Sequence, residues 1–558
     1  MNTFHSTVLK QLKRITKLNE LKLETPPDAK LGDLAFPCFQ LTKELKKSPN
    51  EIAKDLQTKL TKSKYISETK IFGPYLNFFA NKALLAQEVL EKIKAEKEMY
   101  GSQNIGKNKK IVIDYSSPNI AKPFGIGHLR STVIGNSLYR TLKHLHYHPV
   151  GINHLGDWGT QFGKLIYAYK EWGNAEKLKE SPITYLYSLY VKFHAEAEIN
   201  PELENEGRKW FKQLEAGDPK ALKLWEQFRS LSIKEFKRYY TELNIKFDSY
   251  SGEAVFHKML PQTVDFFKKS NLAVKSEGAL VVKLGKDMPP LLLQKSDGAS
   301  TYHTRDLAAA MFRIKEHKPI KLLYVVGSPQ KLHFEQLFKT LGKVKYSADM
   351  FEHVSFGHLK FKDEKMSTRK GNIIFLEDVL DKSIELALKT INEKNPTLKN
   401  KVKVAKIVGI GAVVFADLSN DRTRDILFDW DKILNYEGET SAYIQYAYAR
   451  LASIQRKTKV PETKIEYGML VTDAEQKLIT LLAEFPQIVL ETAKHYKPHL
   501  IARYALDLAQ ASNEFYHKCP IQNQEPKVQR VRLELVDAVK QTIKIAMYLL
   551  GIEVIEEM

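Results

Sequence analysis

The stretch Ile111-Val-Ile-Asp-Tyr115 constrains what this chain can fold into more than any other. It is a short apolar run closed by a Ser-Ser-Pro-Asn turn, and a helical pattern follows over about 128–145. A buried strand that passes through a tight loop into a long helix opens a βαβ unit, and such a unit needs a parallel partner strand and a covered sheet. Strand-like runs at 279–282, 321–326 and around 373–375, each with helical sequence nearby, continue the alternation and predict a mostly parallel sheet.

The rest of the chain arranges itself around that sheet. In residues 1–106, Lys-rich helical patterns flank Gly32-Asp-Leu-Ala-Phe-Pro37, and a strand is predicted over 70–79, which together make a small α+β unit. The polar, basic stretch 101–110 (GSQNIGKNKK) has the composition of a linker. Residues 107–430 form the sheet domain, and within it a Lys-, Glu-, Tyr- and Trp-rich stretch without strand signals predicts a helical insertion at about 165–260. Over 431–558 only helical patterns remain, including 442–457 and 531–550, so a helical bundle is expected there. Several units suit 558 residues, because a single core stops growing at roughly 250–300 residues. No internal repeat is visible.

Charge narrows the partners. Lys and Arg number 86 against 66 Asp and Glu, a surplus of 20 that attracts polyanions over long range and puts nucleic acid first. A merely soluble basic protein stays open on composition alone. Cys38 and Cys519 are the only cysteines and have no CxxC spacing, so neither a disulfide framework nor a cysteine metal site is signalled, and a reducing cytoplasm is expected. The N-terminus carries an amphipathic pattern (Val8, Leu9, Leu12, Ile15) rather than a signal peptide. The longest apolar run, 407–416, is shorter than the roughly 20 residues of a membrane span, so no membrane segment is expected.

Two loops carry chemistry. Ser116-Ser-Pro-Asn-Ile-Ala-Lys-Pro-Phe-Gly-Ile-Gly-His-Leu-Arg-Ser131 leads from the first strand into the helix, where unpaired N–H groups stabilise a ligand phosphate. Gly125 and Gly127 permit close backbone approach, and Lys122 and His128 can donate to phosphate oxygens. A tight turn with His128 as a cap accounts for a glycine pair equally well. The second loop, Lys365-Met-Ser-Thr-Arg-Lys-Gly-Asn372, places several cations and hydroxyls where they could hold a triphosphate or pyrophosphate, although a solvated surface loop reads the same way in isolation.

Taken together, Gly125-Ile-Gly-His128 and Lys365-Met-Ser-Thr-Arg369 resemble the HIGH and KMSKS signatures of class I aminoacyl-tRNA synthetases. The flanking sequence resembles the arginyl-tRNA synthetases in particular, as do His154-Leu-Gly-Asp-Trp-Gly-Thr-Gln-Phe-Gly163, Tyr302-His-Thr-Arg-Asp306, Val326-Gly-Ser-Pro-Gln-Lys-Leu-His-Phe334 and Phe428-Asp-Trp-Asp431. Gly32-Asp-Leu-Ala-Phe-Pro-Cys-Phe39 is similar to the family's N-terminal added domain, and the segment from Tyr436 to Arg450 to its anticodon-binding domain.

The resemblance implies a Rossmann-like catalytic domain with a helical insertion, an N-terminal α+β domain and a C-terminal α-helical anticodon-binding bundle. It implies ATP-dependent ligation of L-arginine to tRNA(Arg) through an arginyl-adenylate, with Mg²⁺ on the ATP phosphates, no protein-held metal, and a monomer. By the same likeness Gly125, Gly127, His128, Lys365, Met366, Ser367 and Gly371 would bind ATP, with Lys122, His128, Lys365 and Lys370 serving catalysis. Asp114, Asn119, His154, Tyr302, Asp306 and Gln330 would hold arginine, and Asp306 would meet the guanidinium. Tyr443, Tyr446 and Arg450, at helical spacing, would contact tRNA.

Two positions depart from the family pattern. Gly125 stands where the first HIGH histidine is usual, and Thr368 where the second KMSKS lysine is usual. Losing one preorganised donor costs about 2.7–4 kcal/mol, small beside the roughly 8–23 kcal/mol by which enzymes lower barriers, and Lys122 is the expected substitute. Two other readings are an RNA-binding paralogue without catalysis and a small-molecule nucleotidylyltransferase on the same type of sheet. The first rests on the two departures; the second leaves the C-terminal helices without a purpose.

Overall fold

A computed structural model describes residues 3–18, 20–361, 375–429 and 438–558. Four parallel strands form the central sheet in the order Phe351–His353, Lys321–Tyr324, Lys110–Asp114, His148–Ile152. The first strand in the chain therefore lies inside, with the strand order reversing between it and Lys321–Tyr324. Alternate residues face opposite layers, as the two-residue period of a strand requires. Ile111 and Ile113 join the large core on one side, while Val112, Leu322 and Tyr324 join a second core on the other.

The helix Ile126–His144 packs along the sheet and is buried over most of its length. Gly135 makes this approach possible, because a Cβ there would lie 2.2 Å from the ring of Tyr115. Helices from Thr160–Trp172 to Pro219–Glu242 make up the insertion. They are tied back to the sheet domain by Arg229, whose Nε donates to the buried Asp157 at 2.8 Å.

Two sequence expectations change. The run 279–282 is no part of the parallel sheet. It is the middle strand of a separate antiparallel sheet with Ala273–Ser276 and Leu291–Gln294. Glu277 and Gly278, both at positive φ, form the two-residue hairpin that turns the chain back. The strand expected over 70–79 is two strands, Ile66–Phe72 and Tyr75–Ala80, reversed at Gly73 and paired antiparallel, with Leu34–Pro37 on the other edge. The run 373–375 lies outside the described residues except Phe375, which forms a single bridge to Gly125.

At the C-terminal end, the helices Ser441–Lys457, Asp473–His495, His499–Lys518 and Pro526–Leu549 pack together. Leu376–Lys394 and Lys401–Leu418 connect them to the sheet domain. Cys38 and Cys519 are both buried and free. No helix among the described residues is long and apolar enough to cross a membrane.

Candidate active site

In an open parallel sheet, ligands bind beyond the carboxyl ends of the strands where the strand order reverses. Here that crevice opens beyond Asp114 and Tyr324. Asn119 follows the first strand, His154 the second and Gln330 the third, while Tyr302 and Asp306 sit one turn apart on the helix Tyr302–His317, which leads into the third strand. Asn119 is exposed and pairs with Gly156, two residues beyond His154, and its side chain occupies the space that a Cβ on Gly156 would need.

Asp114 forms the floor. Its carboxylate accepts from Ser117 Oγ at 2.9 Å and from Arg313 at 2.7 Å, and both charged residues are buried. The permanent cation of Arg313 thus already balances the charge of Asp114.

The other acid has a different partner. Asp306 is half-buried and accepts from His333 Nε2 at 2.7 Å. Burial pushes its carboxyl up, but the His333 hydrogen bond, with the charges of His333, His154 and Arg313, outweighs burial and leaves it below its ordinary value. Arg305, next in sequence, turns instead to Glu253 at 3.7 Å. A simple surface ion pair between Arg305 and Asp306 is therefore not what the fold builds. Tyr302 remains exposed and stacks on His303, with ring centroids 4.2 Å apart. Gln330 is exposed at the head of the helix Lys331–Lys343, three residues before His333.

Glu253 and His333 escaped the sequence reading. Burial pushes Glu253 up to about 7 against the pull of Arg305, and the like charges of Asp306 and Asp157 add to the rise. Its backbone N–H donates to Leu155 O, which hangs the residue beside His154. Glu253 lay within the stretch assigned to the insertion, and only the Ser-Gly-Glu start of the helix Glu253–His257 could have marked it.

At the nucleotide end, Gly125 caps the helix Ile126–His144 in an extended conformation, and a Cβ on Gly127 would meet nothing within 4 Å among the described residues. The first turn of a helix carries N–H groups without intrahelical partners, which suit a phosphate. His128 Nδ1 has no hydrogen-bond partner within ordinary distance among the described residues, and burial lowers the pKa of its ring, with the Gly125 backbone opposing this and the nearby Lys122 adding to it. Burial likewise lowers Lys122, whose ammonium rests 5.0 Å above the ring of Tyr190 in the insertion helix Pro182–Ile199.

Lys365, Met366, Ser367, Lys370 and Gly371 lie outside the described residues. The described chain on either side of them is tied to the first signature. Leu376 N–H donates to Phe124 O at 2.9 Å. On the other side, Leu359–Phe361 pairs in parallel with Ile426–Phe428, and the buried Arg130 of the signature helix reaches the base of this pair. Its guanidinium donates to the carbonyls of Gly357 (2.6 Å), Arg424 (2.9 Å) and Arg422 (3.4 Å), and its Nε lies 3.1 Å from Asp417. Burial pushes Asp417 up to about 6 despite Arg130.

Far from the crevice, Tyr443, Tyr446 and Arg450 share the helix Ser441–Lys457. Arg450 lies between the rings of Tyr446 and Tyr516, 4.8 Å from each, and donates to Asn513, which in turn donates to the hydroxyl of Tyr443. The three residues line a cavity of about 570 Å³ together with Asn513 and His517. Ile444 and Leu451, on the opposite face, enter the core.

Comparison with known proteins places each region. Residues 89–430 match the family described as tRNA synthetases class I (R), catalytic domain. Residues 444–558 match the DALR anticodon binding domain, and 2–80 the arginyl tRNA synthetase N terminal domain. The arginine–tRNA ligase of Clostridium perfringens is 48% identical over 98% of this chain and 97% of its own, and that of Clostridium botulinum is 48% identical over the full length of both. The arginyl-tRNA synthetase structure from Thermus thermophilus superposes with a TM-score of 0.86 over 99% of each chain at 24% identity, which supports the shared fold.

Proposed function

The chain belongs to the arginyl-tRNA synthetases of class I, and from that membership we propose how its crevice carries out the family reaction. The reaction is ATP-dependent ligation of L-arginine to tRNA. The observation that carries the site assignment is the convergence, at the sheet's switch point, of a charged pocket around Asp306 with an open helix N-terminus at Gly125–Gly127.

In this reading Asp306 and Tyr302 receive the guanidinium, with Glu253 adding negative charge and Gln330 a polar edge. A planar, five-donor cation needs carboxylates as its complement. Asn119 and His154 take the amino-acid end of the substrate. Asp114, already balanced by Arg313, supports that end as part of the floor.

ATP enters with Mg²⁺ on its phosphates, and the N–H groups of the first helical turn, His128 and Lys122 face them, with Lys365, Met366, Ser367, Lys370 and Gly371 assigned to the same phosphates from the motif. An oxygen of the arginine carboxylate attacks the α-phosphorus, the bond to the bridging oxygen breaks, and pyrophosphate leaves. Such phosphoryl chemistry rests on positioning and charge stabilisation rather than on a side-chain nucleophile. The terminal ribose 2′-OH of the tRNA then attacks the acyl carbon, losing its proton as AMP departs. Residues 1–106, 107–430 and 431–558 are read as the N-terminal added domain, catalytic domain and anticodon-binding domain, with unpaired bases stacking against Tyr446 and Arg450. We read the enzyme as a cytoplasmic monomer.

The test is esterification of each amino acid onto total tRNA by the purified protein with ATP and Mg²⁺. Charging with arginine alone is expected. Tight tRNA binding without charging would overturn the reading in favour of a silent RNA-binding paralogue.

A further inference from the structure

The carboxylate of Asp306 is not free to turn. Its Oδ2 accepts from Nε2 of His333 at 2.7 Å, and His333 is itself buried, with its ring packed between those of Tyr302 (5.3 Å), His303 (4.8 Å) and Phe334 (5.1 Å). The Nδ1 of His333 is buried and has no hydrogen-bond partner among the described residues. A proton there would find no acceptor, whereas one on Nε2 meets Asp306, so the geometry selects the tautomer that donates to the carboxylate. His303 stacks between Tyr302 and His333 and completes the wall behind this bond.

The terminal torsion of an aspartate is broad, so an untethered carboxylate samples many planes. A guanidinium is recognised by two parallel N–H···O bonds, which require a fixed plane. The donor's charge matters as well. A lysine or arginine in the place of His333 would balance the carboxylate and compete with the incoming cation, as Arg313 does at Asp114. An imidazole donating one hydrogen bond fixes the plane of Asp306 without a permanent countercharge, and the side chain of Asp306 keeps 30% of its surface exposed.

We propose that His333 is the positioning residue for guanidinium selection, acting through Asp306. The proposal rests on the reading of Asp306 as the guanidinium partner, and the same experiment separates the two. His333→Phe, His333→Gln, His333→Lys and Asp306→Asn are compared in aminoacylation by the full-length enzyme. Arginine, ATP and tRNA are varied in turn, citrulline serves as a neutral competitor of the same shape, and thermal unfolding is recorded for each variant.

His333→Phe is expected to raise the KM for arginine about 10-fold, the range for losing a hydrogen bond to a charged group, with the KM values for ATP and tRNA within about twofold of the parent. His333→Gln, whose amide can reach the same oxygen, recovers most of that loss. His333→Lys is worse than His333→Phe, and discrimination against citrulline narrows in both. The proposal is overturned if His333→Phe leaves the arginine KM unchanged while Asp306→Asn raises it. It is equally overturned if His333→Phe raises all three KM values together, as a purely structural role would, or if His333→Lys binds arginine normally. An unaltered arginine KM in Asp306→Asn would instead overturn the reading of Asp306, and this inference with it.

Discussion

Asp114 and Asp306 line one crevice, yet each is held by a different kind of partner. Asp114 faces a permanent cation, Arg313, within a buried pair, while Asp306 faces an imidazole and is half exposed. Two acids beside the same crevice are thereby given separate tasks. The one closed by arginine is structural material for the floor; the one tied by a histidine keeps negative charge for a cationic substrate. Residue type alone does not assign these tasks, since both are aspartates in sequence segments that resemble the same family.

The difference can be broken from either side. The largest effect is expected from Arg313→Met, which strips the buried Asp114 of its countercharge. Breaking a buried pair from one side costs about 3–5 kcal/mol, so denaturant unfolding should show a loss of that order. A loss under about 1 kcal/mol would mean that Asp114 finds water or another donor. Asp306→Asn should behave in the opposite manner, with unfolding little changed and kcat/KM for arginine down roughly 10²–10³-fold, the penalty for an unmatched charge in a desolvated site. Equal losses of stability in both variants would erase the distinction.

Gly127→Ala probes the nucleotide end. A Cβ there meets none of the described residues, so the fold should tolerate it, while the methyl group intrudes where phosphates approach the helix N-terminus. A rise of about 10-fold in the ATP KM at unchanged melting temperature is expected from the loss of a charge-assisted contact. An unchanged ATP KM would move the phosphates elsewhere.

The smallest effect concerns pH. Glu253 titrates near 7 in the folded protein, so lowering the pH through that value protonates it and removes a negative charge beside Asp306. Arginine should then bind more weakly at pH 6 than at pH 8, by about threefold for one partly screened charge, and Glu253→Gln should flatten the profile. A profile that stays steep in Glu253→Gln would assign the titration to another group. Linkage runs in the opposite direction for folding: a carboxyl raised above its unfolded value penalises the folded state increasingly as pH climbs from the unfolded pKa towards 7.

The sequence made some of this legible and hid the rest for physical reasons. Local order was readable where it is set locally. The apolar run 111–115, the glycines at 125 and 127 and the four-residue spacing of Tyr302 and Asp306 each follow from a short-range rule, and the first strand, the helix N-terminus and the shared helix face all appear in the structure. Non-local choices were not readable. Nothing near 279–282 says that its second neighbour lies at 291–294 rather than in the parallel sheet, because antiparallel and parallel partners draw on the same apolar alternation. Nor does any spacing rule place Glu253 beside Asp306 or turn Arg305 away from it. Pairing among charges is decided by which elements the sheet brings together, and that information resides in the assembled fold.

The grip of Arg130 has a consequence of its own. On these two turns its hydrogen-bond acceptors are carbonyls of the chain, at Gly357, Arg422 and Arg424, and the turns are packed so closely that a Cβ on Gly357 would lie 2.6 Å from the backbone of Arg424. Residue count matters as well. Inserting or deleting a single residue at 355–358 or 421–425 displaces the whole set of oxygens from five donors held in a rigid fork, and a lysine, with three donors on a flexible stem, cannot follow them. This joint is therefore set by the number of residues in its two turns, and a change of length there uncouples the signature helix from them.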